Sequence, residues 1–161
     1  MNRIVDPLDS SFLDEAVRLA AASAARGGGP FGAVVARNGS IIGTGTNRVI
    51  AALDPTAHAE VMAIRDACRR LGDYRLTGAV LYASCMPCPM CYAAAYWARI
   101  ERVYYAASAD QAAAAGFDDL EVLQQLGVPA KQRRIPCRQL PSPDADRPFE
   151  IWRSLPDRRE Y

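Results

Sequence analysis

An α/β fold of three layers, one sheet with helices on both faces, follows from three features of this 161-residue chain. Two apolar runs, residues 31–36 and 40–46, flank Asn38-Gly39, the strongest short hairpin signal. Residues 79–83 and 102–106 read as strands separated by a helical stretch over 87–98, an alternation that implies a right-handed parallel crossover. Residues 10–25 and 58–71 carry apolar side chains at helical spacing. The length is one domain's worth, so a single domain over residues 1–161 is expected.

In chain order, the first helix has Ser10 before it, Asp14 and Glu15 in its first turn, and Phe12, Leu13, Ala16, Val17, Leu19 and Ala20 on its apolar face. Arg26-Gly27-Gly28-Gly29-Pro30 ends it and leads into the hairpin. Asn47 follows the second strand, where an Asn serves a turn or faces a pocket at the sheet's rim. Asp54-Pro55-Thr56 delivers the chain to the second helix, with Thr56 as the expected cap and Val61, Ile64, Ala67, Cys68 and Leu71 as its buried stripe. Residues 79–83, bounded by Gly78, read as a buried strand. Asp118 and Glu121 form a capping-box pattern for a helix to residue 126. Residues 135–140 suggest an edge strand, since Pro136 denies it a central place. Residues 141–146 read as linker, and residues 149–155 as a short helix whose Trp152 needs a packing surface.

Composition narrows the function. The net charge is +1, from 19 basic and 18 acidic residues, so no global field gathers nucleic acid. Lys131 is the one lysine, and no Gly-Lys-Ser/Thr loop exists to hold a nucleotide's phosphates. No apolar run approaches the roughly 20 residues of a membrane span. Five cysteines and a start without a secretion-signal pattern fit reduced thiols in the cytoplasm.

The chemistry concentrates in His58-Ala59-Glu60 and Pro87-Cys88-Pro89-Met90-Cys91. Cys88 and Cys91, three apart at a helix start near Pro87, share a face and converge on one cation. The free N–H groups of that first turn favour a Cys88 thiolate. With His58, the chain's only histidine, they make a three-ligand zinc site whose fourth position is open, the catalytic arrangement. Such a metal activates water, and Glu60, two residues after the ligand, is placed as the base. The rival is a closed structural zinc with Cys85 as fourth ligand, which would leave Glu60 without a task. Cys68 and Cys137 read as core packing.

His-x-Glu followed by Pro-Cys-x-x-Cys is the signature of zinc base deaminases. The chain resembles the cytidine deaminase superfamily, and more narrowly its bacterial guanine deaminase group. The matching stretches are Gly29-Pro30-Phe31-Gly32-Ala33-Val34, Asp54 through Glu60, Pro87 through Cys91, Tyr96-Trp97-Ala98-Arg99, Ala115-Gly116-Phe117-Asp118-Asp119 and the closing Trp152-Arg153 through Glu160-Tyr161. The resemblance implies zinc on His58, Cys88 and Cys91, with Glu60 as proton shuttle. It implies Asn47 on the purine, Phe31 and Trp97 lining its pocket, and Asp119 as a second carboxylate serving the 2-amino group. It further implies a homodimer in which the tail, residues 141–161, crosses to the partner so that Tyr161 closes the neighbouring site. Met86 departs from the group, which usually has Glu before Pro-Cys, and a thioether cannot make a carboxylate's hydrogen bonds. The expected reaction is guanine to xanthine and ammonia. A deaminase of nucleosides, cytosine or an aminotriazine, a tRNA adenosine deaminase, and an inert zinc-stabilised module are the alternatives.

Overall fold

Four strands make one mixed sheet in the order β2-β1-β3-β4, where β1 is Gly32–Arg37, β2 Ser40–Thr46, β3 Val80–Cys85 and β4 Arg102–Ala107. The structure is a computed structural model, and it describes residues 7–117 and 119–160. β1 runs antiparallel to both β2 and β3, and β4 lies parallel to β3. The helices are α1 (Pro7–Ala25), α2 (Val49–Ala52), α3 (Ala59–Leu71), α4 (Pro89–Trp97), α5 (Ala109–Ala114), α6 (Leu120–Leu126) and α7 (Arg147–Ser154). The chain forms two compact units, one up to Glu121 and one from Val122.

The hairpin forms as its sequence demands. Asn38 and Gly39 take φ of 53° and 73°, the left-handed pair that matches the twist of a two-residue turn. The strand period of two then sorts side chains between layers. Ala33, Val35 and Leu81 face a core with Ala59, Ala63, Ile64 and Ala67 of α3 and Ala95 of α4. Val34, Ala36, Val80 and Tyr82 face the other way, onto Ala16 of α1. Central β1 and β3 are therefore buried on both faces, whereas edge strand β4 has only exposed and half-buried residues. Each fully buried Val or Leu here contributes about 1.5–3 kcal/mol. On the α1 side, the Tyr82 hydroxyl donates to Asp9, joining the first helix to the sheet's centre.

Two glycines of β2 set how closely α3 lies on the sheet. A methyl group at Gly43 would meet Ala63 O at 2.5 Å, and one at Gly45 would meet Ala59 O at 2.2 Å. Two strand residues advance about 6.8 Å and four helical residues about 6 Å, so each glycine receives one turn of α3.

Several expectations need correction. Thr56 does not cap α3: His58 holds the N-cap position, and Thr56 instead gives its N–H and hydroxyl to Asp54 at 2.8 and 2.7 Å. α4 starts at Pro89 rather than Pro87, with Cys88 as its N-cap. A capping box exists at Ser108 and Gln111, opening α5. The one read from Asp118 falls on a residue outside the described set. Residues 135–140 form no strand, as Pro136 and the exposure of Ile135 and Leu140 (80% and 82%) explain. Cys137, in that stretch, is exposed and not core.

Candidate active site

Both halves of the motif arrive on helix N-caps. His58 precedes α3, and a run of backbone bonds holds it there: Arg48 N–H to Ala57 O at 2.8 Å, Ala57 N–H to Asp54 O at 3.1 Å, His58 N–H to Thr56 O at 2.8 Å. Cys88 precedes α4, and Cys91, one turn on, is fully buried. Since α3 and α4 pack against one face of the sheet, their first turns meet.

There, Cys88 Sγ and Cys91 Sγ lie 3.6 and 3.5 Å from His58 Nδ1 and 3.6 Å from each other. Zinc bonds of about 2.3 Å to sulfur and 2.0–2.1 Å to nitrogen, at tetrahedral angles, require separations near ~3.8 Å between sulfurs and ~3.6 Å between sulfur and nitrogen. The triangle fits zinc. Cys85 is not a fourth corner: the donor cluster among the described residues is His58, Cys88 and Cys91, and the Cys85 thiol instead donates to Ser108 O at 3.6 Å. Among the described residues, three donors with that side unclosed match the catalytic pattern, and Cys85 does not close it.

Electrostatics within the cluster are uneven. Contact with Cys91, then with His58, pushes the Cys88 thiol down to about 4. Cys91 is pushed up by Cys88 and by burial. His58 is raised by its contact with Cys88. Glu60, buried in the first turn of α3, is raised chiefly by burial, with the Cys88 thiolate adding to it. A carboxyl lifted in this way exchanges protons nearer neutrality than a free one.

A cavity of about 660 Å³ opens beside the cluster, within the range of small-molecule sites. Phe31, Asn47, His58, Glu60, Cys88 and Asp119 all line it, so most of the residues expected at the site converge. Trp97 does not join them. It ends α4, two turns beyond the cluster, and its side chain is 60% exposed. Tyr161 lies outside the described residues. Met86 is on the cavity wall. Sequence reasoning missed Phe117, whose ring meets Phe31 edge to face at 4.9 Å between centroids, giving the cavity a second aromatic. Its signal was the Ala115-Gly116-Phe117-Asp118-Asp119 stretch, from which only Asp119 was assigned to the site. Also missed was Ser84, whose hydroxyl accepts the Gly32 N–H at 3.0 Å and ties the glycine loop's exit to the end of β3.

Comparison with known proteins agrees. Residues 7–107 match the cytidine and deoxycytidylate deaminase zinc-binding region. The chain is 49% identical to the guanine deaminase of Bacillus subtilis over 152 residues, 94% of this chain and 97% of that protein. The crystal structure of that enzyme superposes with a TM-score of 0.91 at 47% identity, covering 100% of this chain and 99% of that one. The tRNA-specific adenosine deaminase of Aquifex aeolicus is 44% identical over 96 residues, only 60% of this chain and 64% of its own. A guanine deaminase structure from Nitrosomonas europaea gives a TM-score of 0.67 at 31% identity, over 73% of this chain and 68% of that one. With motif, donor geometry and sequence in accord along its length, the chain belongs to the cytidine and deoxycytidylate deaminase family and, within it, to the bacterial guanine deaminase group.

Proposed function

We propose that this protein is a zinc-dependent aminohydrolase that converts guanine and water to xanthine and ammonia. The observation that carries the reading is a three-donor triangle, open on one side, with a buried carboxyl beside it that is not one of the donors. Identity of 49% to a guanine deaminase over 94% of the chain, against 44% over 60% and 36% over 85% of it for two tRNA-specific adenosine deaminases, supports the substrate. Charge supports it too. Arg69 and Arg70, adjacent on α3, both pair with Asp66, at 3.9 and 2.9 Å, which partly neutralises that patch.

Lewis-acid activation of water is the chemistry that zinc supplies when held by His58, Cys88 and Cys91. Glu60 takes one proton from the water as its oxygen adds across the C2=N3 double bond, and delivers that proton to N3. The remaining hydroxyl proton then passes through Glu60 to the 2-amino nitrogen, the C2–N bond breaks, the C2 carbonyl forms and ammonia leaves. Asn47 hydrogen-bonds the purine, Phe31 and Phe117 flank its ring, and Asp119 serves the 2-amino group. In a homodimer the tail of one subunit crosses to the other, and Tyr161 covers the neighbouring cavity. The exposed apolar residues of α7 favour such a partner. Five free cysteines accord with a cytoplasmic setting.

Ammonia release from the zinc-loaded protein with guanine, guanosine, cytosine, adenosine and a tRNA anticodon stem tests the assignment, with guanine expected to be turned over fastest. Silence with guanine, or faster turnover of any other, overturns it. Glu60→Gln should retain zinc and fold while losing about 10²–10⁴-fold in kcat, the range of a general acid–base.

A further inference from the structure

The Arg26 to Pro30 loop lies against the residue assigned to recognise the base. It is anchored at its start, where Arg26 and Gly28 N–H groups donate to Ser23 O at 3.1 and 2.9 Å. At its end, Asn47 N–H donates to Phe31 O at 3.1 Å, so the strand end carrying Asn47 is fastened to the loop exit. Gly29 falls between these fastenings. A methyl group built on Gly29 would meet Asn47 Cγ at 2.9 Å, Oδ1 at 3.0 Å and Cβ at 3.1 Å. Gly29 does not take a positive φ, and it precedes proline, where extended backbone suits alanine as well as glycine. Backbone conformation does not require glycine here; the space taken by the Asn47 amide does.

That amide has a defined sense. Its Oδ1 accepts the Val49 N–H at 3.2 Å, and among the described residues nothing accepts from Nδ2. With the oxygen engaged by Val49 and backed by Gly29, the side chain offers the cavity a donor.

We propose that Gly29 is a positioning residue for specificity: its missing side chain holds the Asn47 amide so that Nδ2 faces a hydrogen-bond acceptor on the heterocycle, a carbonyl oxygen or unprotonated ring nitrogen. The inference rests on the proposed deaminase reading of the cavity. In Gly29→Ala the amide must turn, and substrate loses that bond while the zinc donors and Glu60, on α3 and α4, keep their places.

Steady-state kinetics with guanine and zinc-loaded enzyme read this directly. Gly29→Ala should raise KM about tenfold, the worth of one hydrogen bond in this setting, with kcat and zinc content unchanged. Asn47→Ala removes the two atoms the methyl group would meet at under 3.1 Å, so adding Gly29→Ala to it should change KM no further. An unchanged KM in Gly29→Ala, or an equal loss on the Asn47→Ala background, overturns the proposal. Asn47→Asp probes the donor without touching the loop, because it keeps the acceptor for Val49 N–H and replaces Nδ2 by oxygen. Guanine should bind it about tenfold more weakly, and unchanged binding overturns the proposal. Calorimetric Kd values for guanine on the zinc-loaded Glu60→Gln background report all three variants without chemistry. Failure of wild-type turnover therefore counts against the reaction, and failure of the Gly29 and Asn47 effects on Kd counts against the positioning role.

Discussion

Cys88 and Cys91 are one turn apart yet chemically unlike. Cys88 is half-buried at the N-cap of α4 and its thiol is pushed down to about 4, whereas Cys91 is fully buried and pushed up. Reactivity follows the thiolate. In zinc-stripped folded protein, iodoacetamide should therefore label Cys88 well before Cys91. Because the depressed group stays ionised until pH falls through its lowered value, labelling should persist at pH 6 and decline only nearer 4; peptide mass spectrometry reads both, and zinc should protect. The meeting of Cys88 and Cys91 was legible in the sequence because three-residue spacing at a helix start brings two thiols together. The status of Cys85 was not, since three-residue spacing to Cys88 is equally good on paper and only the Ser108 carbonyl reveals where its thiol points. Asn47 shows the opposite: the turn and pocket readings both hold, because Oδ1 serves the Val49 N–H while the residue lines the cavity.

Elements carry the site as much as residues do. β2 has glycine at 43 and 45 because the backbone of α3 occupies the space of both side chains. Gly45→Ala should cost about 1–3 kcal/mol in urea unfolding, the usual penalty of overpacking, since Ala59 O and Ala63 N are backbone atoms that cannot swing aside. Gly39→Ala, whose methyl group would have open space but whose φ is 73°, should cost less and act only through the turn. The hairpin was readable since Asn-Gly specifies its own turn. The start of α4 was misplaced by two residues because Pro87 and Pro89 both suit a first helical turn, and the choice belongs to tertiary contacts. The edge strand at 135–140 was drawn from apolar residues that proved to face solvent.

At the scale of the molecule, the unit from Val122 has no buried residue among those described, and Phe149 and Ile151 of α7 and Leu155 just after it are 61%, 52% and 44% exposed. A segment with so much apolar surface and no interior is suited to a partner's surface. Sedimentation equilibrium should return a dimer for the full chain. Removing residues 141–161 should shift it toward monomer and depress guanine turnover while zinc stays bound; a truncated enzyme of full activity would count against the crossing tail. What α7 packs on is not legible locally, because an amphipathic helix has the same pattern whether its apolar face meets its own chain or another. The three-layer order was readable since hairpin and strand-helix-strand signals are local.

The two helix caps that hold the metal donors are thirty residues apart in sequence and become neighbours only when α3 and α4 lie on the same sheet. A newly made chain thus offers zinc a bare pair of thiols, and the full grip exists only after the fold is complete. The folded chain should therefore hold zinc more tightly than the unfolded one, in which Cys88 and Cys91 stand apart from His58.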